Sequence, residues 1–341
     1  VALAETRDVT APVSATSTNA IAETVLPSVP DTGASSNADV PLSFVHVSYW
    51  YGDVVAVNDI TATVGPGITG LLGPNGAGKS TLLQLAAGLL SPSNGIVNVY
   101  GRSPASGPAV YRDIGLVPER EALPGNMSAR SFVLTRARML ALDDPNDATR
   151  RALETVELET VADRKLGGFS KGMKQRAKLA AALVHEPRLV LLDEPFNGLD
   201  PRQRVHMMRL LEARAAAGTA VLLSSHILEE IESVASRILV MLSGRLAATG
   251  DYRSLRRLMT DRPHTVHLKS SNDRQLASAL VANDTVVSVE LSAGGLMVKA
   301  TDYARFARAV GPAAQQHGIS VFEILPADES LEHVFAYLVA R

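Results

Sequence analysis

Residues 68 to 80 read ITGLLGPNGAGKS, and TLLQLAAGLL follows them. Ile68 to Leu72 is almost wholly apolar, which suits a strand buried on both faces. It runs into a glycine-rich turn, and a helix is expected from Gly78. Gly73 to Ser80 meets the spacing G-x-x-x-x-G-K-[ST], whose chemistry is phosphate binding. Glycines let backbone N–H groups turn inward around phosphate oxygens, and the helix N-terminus adds positive partial charge. In such a loop Asn75, Gly76, Gly78 and Thr81 belong to the wall. Lys79 reaches the β- and γ-phosphates, and the Ser80 hydroxyl serves Mg²⁺. The plainer reading is a glycine-rich turn carrying a surface lysine; the strand before it and the helix after it weigh against that.

A phosphate loop needs an acid for the metal. Arg188 to Pro195 reads RLVLLDEP. Asp193 closes an apolar strand, where a carboxylate packs badly but is well placed for Mg²⁺. Glu194 follows at the strand exit as the candidate base for an attacking water. A strand simply leaving the core would also end in such residues. These two motifs together narrow the field to ATP- and GTP-using proteins.

Working outward, LSFVHVS from Leu42 and VVAVNDITATV from Val54 alternate apolar and polar residues, as half-buried antiparallel strands do. Helical patterns fall near Ser128–Leu142, Asp147–Leu158 and Gly172–Glu186. Two apolar strands, Leu189–Asp193 and Thr219–Ser224, each precede a helix. Alternating strands and helices predict an α/β domain with a largely parallel sheet, ending near Arg253–Met259. Residues 264–341 predict strand, helix, strand, strand, helix, strand, helix; the first six follow the split βαβ, ferredoxin-like order. The strands are HTVHLKS, TVVSVELS, GLMVKAT and ISVFEIL. The closing helix is ESLEHVFAYLVAR, with Leu331, Val334, Phe335 and Leu338 on one face. Residues 1–40 hold few large side chains and are expected to form a disordered tail. The expected division is therefore 1–40, 41–258 and 259–341.

Further motifs carry a family resemblance. Phe169-Ser170-Lys171-Gly172-Met173-Lys174-Gln175-Arg176 resembles the ABC signature, LSGGQ-x-QR. Asp193-Glu194-Pro195-Phe196-Asn197-Gly198-Leu199-Asp200 looks like a Walker B strand joined to a D-loop, and Ser225-His226 looks like the switch histidine. From Leu42 to Gly250 the chain resembles the ATP-binding subunits of ABC transporters. The SKGM-K-QR form and the closing SLE-x-VF helix are similar to the branch serving ABC-2-type exporters. The resemblance implies an ABC ATPase fold: a RecA-like core, an antiparallel β subdomain and a helical subdomain. It implies ATP and Mg²⁺ as ligands. Ser170, Gly172 and Asp200 would meet nucleotide bound to a second ATPase subunit, and Tyr51 would stack on adenine. Taken alone, Tyr51 is equally a strand-end filler and His226 a surface or capping histidine. The chain departs from the family at Lys171, at Met173 and at Glu119 of IGLVPER, where glutamine is usual. Glu119 is either a further Mg²⁺ ligand or a loop charge.

The implied function is ATP hydrolysis driving a separate multispanning permease through ATP-dependent pairing of two ATPase subunits, at the inner face of the cell membrane. Two other classes fit the phosphate loop: an ABC ATPase without a permease, acting on ribosomes or DNA, and a regulatory module that binds nucleotide without cleaving it. The first usually carries two ATPase units or a long coiled coil, and neither is seen here. Glu194 and His226 argue against the second. A net charge of −2 gives no global attraction to nucleic acid, so no nucleic-acid partner is expected. The absence of cysteine excludes disulfides, thiol catalysis and cysteine-ligated metal. No apolar run approaches the ~18 residues a membrane span needs, and no signal peptide is expected at the N-terminus.

Overall fold

The computed structural model describes residues 39–120, 123–251, 263–292 and 294–326. The expected tail, the junction near Arg253–Met259 and the closing helix of residues 329–341 lie outside the described residues, apart from Asp39 and Val40.

β1 (Leu42–Tyr51) and β2 (Val54–Val64) pair antiparallel as their alternation predicts. β3 (Gly67–Leu72) leads through the glycine-rich turn into α1 (Lys79–Ala86). β4 (Asn94–Val99) then completes a three-stranded antiparallel sheet of order β2-β1-β4. β5 (Ile114–Val117) precedes three helices: α2 (Ala129–Met139), α3 (Pro145–Thr155) and α4 (Lys171–Leu183). β6 (Leu189–Asp193), α5 (Pro201–Ala216), β7 (Ala220–Ser225) and α6 (Leu228–Val234) alternate. A hairpin of β8 (Arg237–Leu242) and β9 (Arg245–Gly250) follows. The central sheet has order β5-β6-β7-β3-β8-β9, with neighbours parallel except β8 and β9.

The sequence of β6 explains why this sheet lies in the middle. Val190 and Leu192 face a core built with α4, α5 and α6, including Ala177, Leu179, Leu211 and Ile231. Leu189 and Leu191 face the other way, into a core with Leu82, Leu83 and Leu85 of α1 and Phe44 and Ile60 of the antiparallel sheet. A strand covered on both faces must be apolar at every position. The glycine-rich turn and the acid pair are then left at the C-terminal ends of their strands, where a parallel sheet holds ligands.

The remaining described elements are β10 (His264–Ser270), α7 (Asp273–Val281), β11 (Val286–Ser292), β12 (Gly295–Ala300), α8 (Tyr303–Gln316) and β13 (Val321–Pro326). They form an antiparallel sheet of order β11-β12-β10-β13, the ferredoxin-like arrangement expected from the element order. Their core is separate, formed by Val266, Leu268, Leu276, Leu280, Leu296, Val298, Phe306 and Val310. Phe306 is fully buried there. Phe306→Ala should cost about 3–5 kcal/mol, read as lost hydrogen-exchange protection in α7 and α8. Unchanged protection would mean that this core does not hold those helices.

Candidate active site

The turn after β3 is built for close approach. Gly78 has φ +98°, and a Cβ there would lie 2.3 Å from the Ala56 carbonyl oxygen. Only glycine fits both demands. Lys79 follows at the start of α1 and is buried. Its ammonium donates to the carbonyl oxygens of Gly73 (2.7 Å) and Pro74 (3.2 Å), so it folds back over its own loop. Burial lowers its pKa below the ordinary lysine value. The negative fields of Glu194, Asp193 and Glu119 oppose that shift.

Asp193 and Glu194 are held by a residue that sequence reasoning missed. Ser224 stands opposite Asp193 in the parallel register of β6 and β7. Its hydroxyl donates to Asp193 Oδ1 (2.6 Å) and accepts from the Glu194 backbone N–H (3.1 Å). The Ser224 carbonyl lies 3.2 Å from the same N–H. Two parallel strands ending together in polar residues were the available signal. Glu194 itself has φ +50°, a conformation costly for a side chain larger than glycine's and recurrent at functional sites. Its Oε2 lies 2.9 Å from His226 Nδ1. Burial raises the Glu194 pKa above the ordinary carboxylate value, against the lowering effects of His226 and Lys79.

Asn75, Gly76, Gly78, Lys79, Ser80, Thr81, Glu119, Asp193, Glu194 and His226 all line one cavity of about 500 Å³. Arg120 and Asn197, not singled out from sequence, line it too. One ammonium, bonded to carbonyl oxygens, faces several carboxylates across this space. That donor set fits a polyanion carrying a divalent cation, since the cation offsets the carboxylates and the ammonium meets the anion. The Glu119 side chain is partly exposed and 3.7 Å from Arg120, while its backbone carbonyl accepts from Lys178 of α4 (3.1 Å).

Four expected residues do not line the cavity. Tyr51, at the end of β1, packs edge-on against Tyr49 (4.8 Å between ring centres), with its hydroxyl 3.5 Å from Gln84 Oε1. Ser170 caps α4 by accepting from the Met173 N–H (3.2 Å). Asp200 caps α5 by accepting from the Gln203 N–H (2.8 Å). Gly172 admits the loop between β6 and α5: a Cβ there would lie 3.0 Å from the Gly198 carbonyl oxygen. Close approach at Gly172 thus serves packing within this chain, in addition to any ligand.

Known proteins match this picture. The family model described as ABC transporter matches residues 57–197. The chain is 32% identical over 320 residues to Nod factor export ATP-binding protein I of Sinorhizobium fredii, covering 90% of this chain and 88% of the relative. It is 31% identical to the protein of that name from Rhizobium meliloti, covering 92% of each. Among solved structures, an ATP-binding subunit of an ABC transporter is similar at 31% identity and TM-score 0.60, covering 64% of this chain and 92% of that one. An ATP-binding cassette solved as a dimer with ADP and Pi shares the fold at 23% identity and TM-score 0.57, covering 62% of this chain and 98% of that one.

Proposed function

The chain belongs to the ABC transporter family as an exporter-type ATP-binding subunit that hydrolyses ATP, and from there we propose how its residues divide the work. The observation that carries the reading is the convergence of Lys79, Asp193, Glu194 and His226 on one cavity. The backbone N–H groups of the loop and the Lys79 ammonium bind the β- and γ-phosphates. Glu194 orients the attacking water and takes its proton. Its hydrogen bond to His226 fixes the carboxylate, and His226 faces the γ-phosphate. Ser80, Asp193 and Glu119 would hold Mg²⁺, which would supply positive charge to offset that of the phosphates. Tyr51 flanks the adenine. ATP turnover by the purified chain, lost when Glu194 is changed, tests this division.

Glu119 carries a separate expectation. A carboxylate is a stronger ligand than an amide for a hard cation, but it repels phosphate when no cation intervenes. ATP affinity should depend more steeply on Mg²⁺ in this chain than in Glu119→Gln, and the variant should keep most of its turnover. The measurement is nucleotide titration of both proteins with Mg²⁺ and with a chelator. Equal Mg²⁺ dependence would remove Glu119 from the metal.

Pairing completes the site. Ser170, Gly172 and Asp200 lie away from the chain's own cradle, so they serve nucleotide on a second ATPase subunit. A membrane permease is the other partner. No helix among the described residues is long and apolar enough to cross a membrane, so another chain would supply the path. An open groove of about 630 Å³ runs from Leu89 and Tyr111 to Phe132 and Met139, and Met139 is 75% exposed. Apolar surface of this kind marks a protein contact, and we assign it to a cytoplasmic segment of the permease. In this reading the subunit works at the inner face of the membrane. Among the described residues, 42–250 carry the ATPase elements and 264–326 those of an accessory domain. Co-purification of a multispanning protein that is lost on Met139→Asp tests the groove; retention would move the contact elsewhere.

A further inference from the structure

β7 ends in two serines that face opposite ways. Ser224 serves the acid pair on one side of the sheet. Ser225 continues the face of Val221 and Leu223, which packs with Ile231 of α6, and it is wholly buried. Its hydroxyl donates to Glu230 Oε2 (2.7 Å) and accepts from the Ile227 N–H (3.0 Å). That second bond closes a three-residue turn with His226 at its centre. A hydroxyl has one proton. Donating it to Glu230 leaves a lone pair for Ile227, so Glu230 sets the direction of the bond that shapes the turn.

Glu230 is only 4% exposed and stands third in α6. From that position a glutamate ordinarily reaches back to the N–H of the residue before the helix. Here that residue is Ile227, whose N–H goes to Ser225 and whose side chain offers no cap. The pair with α5 does not explain why a carboxylate is buried here. Arg204 Nη1 lies 3.5 Å from Glu230 Oε1, and Arg204 Nε is buried without a partner among the described residues. A buried charge paired so loosely carries a desolvation cost that an apolar residue would avoid.

We propose that Glu230 is a positioning residue for ATP cleavage, acting through Ser225 to hold His226. The proposal rests on the reading of His226 as part of the hydrolytic site. The histidine's Nδ1 lies 2.9 Å from Glu194 Oε2. Its backbone is gripped from the other side by the turn that Ser225 closes. Held at both points, the imidazole keeps its aim on the γ-phosphate. Without Glu230 the Ser225 hydroxyl is free to rotate to another acceptor, and the turn loosens. A misplaced histidine then costs rate and leaves nucleotide binding alone, because the phosphates are carried by the loop before α1.

The test measures ATP affinity and the cleavage rate of the full chain, the rate being read from single turnovers so that slow variants stay measurable. The variants are Glu230→Leu, Glu230→Gln and Ser225→Ala, each made alone and together with His226→Ala. Glu230→Leu and Ser225→Ala should each cleave ATP about tenfold more slowly, with ATP affinity unchanged. Glu230→Gln keeps an acceptor for the hydroxyl and should retain most of the rate. Beside His226→Ala none of the three should cause a further loss, because the group they position is gone. Losses that multiply with that of His226→Ala would overturn the proposal. So would an unchanged rate in Ser225→Ala, or a Glu230→Gln as slow as Glu230→Leu. Thermal unfolding checks the fold; if Glu230→Leu does not fold, Ser225→Ala, which removes a single oxygen, carries the test. Full turnover by His226→Ala alone would strike the reading of the histidine itself, and the proposal with it.

Discussion

Glu194→Gln should bind ATP normally and hydrolyse it at least ~10²-fold more slowly. The substitution keeps the volume and the acceptor facing His226, so the backbone bonds to Ser224 should survive. What it removes is the ability to take a proton. Burial raises the Glu194 pKa, bringing it nearer neutrality, where a general base is most effective. The acidic limb of the kcat/KM profile should therefore lie above the ordinary carboxylate range, with activity rising as Glu194 loses its proton. Stability should respond with the opposite sign. Where the folded-state pKa exceeds the unfolded one, the folded protein binds more protons, so stability falls as pH rises through that interval. Glu194→Gln should lose this fall and be more heat-resistant near neutral pH. With ATP bound and uncleaved, paired subunits should accumulate in sedimentation or gel filtration. Undiminished turnover would take Glu194 out of the reaction.

How much of this was legible in the sequence follows from where the chemistry sits. The cradle and the acid pair occupy short contiguous strings on strands buried from both sides, so local pattern revealed both the motif and its scaffold. The same holds for β10 to β13, where clear alternation set against two helical stretches fixed the sheet order. Ser224 was not legible, because its role depends on register between β6 and β7, thirty-one residues from Asp193. β4 and the β8–β9 hairpin were not singled out: they are as long as β3 and β7 but carry no chemical motif at their ends. Gly172 was read as serving a ligand, and its packing against the loop at Gly198 needed coordinates.

Lys79→Ala should weaken ATP binding by about 10²-fold or more, because two losses act together. The first is the pair of charge-assisted hydrogen bonds that a buried ammonium offers to phosphate. The second is electrostatic. Lys79 is a buried cation facing Glu194, Asp193 and Glu119, and without it the repulsion of those carboxylates on an incoming polyanion is offset only by more exposed groups such as Arg120. Lys79→Arg should fall between the two. It keeps the charge, but a planar guanidinium does not fit a loop shaped around an ammonium 2.7 Å from Gly73 O. The fold should survive in both variants. Burial already disfavours the charged lysine, so removing it relieves a desolvation cost while leaving one carbonyl short of a donor. Circular dichroism and thermal unfolding check the fold, and nucleotide titration checks the binding. A folded Lys79→Ala that binds ATP as tightly as the unsubstituted chain would mean that the glycine-rich turn does not carry the phosphates.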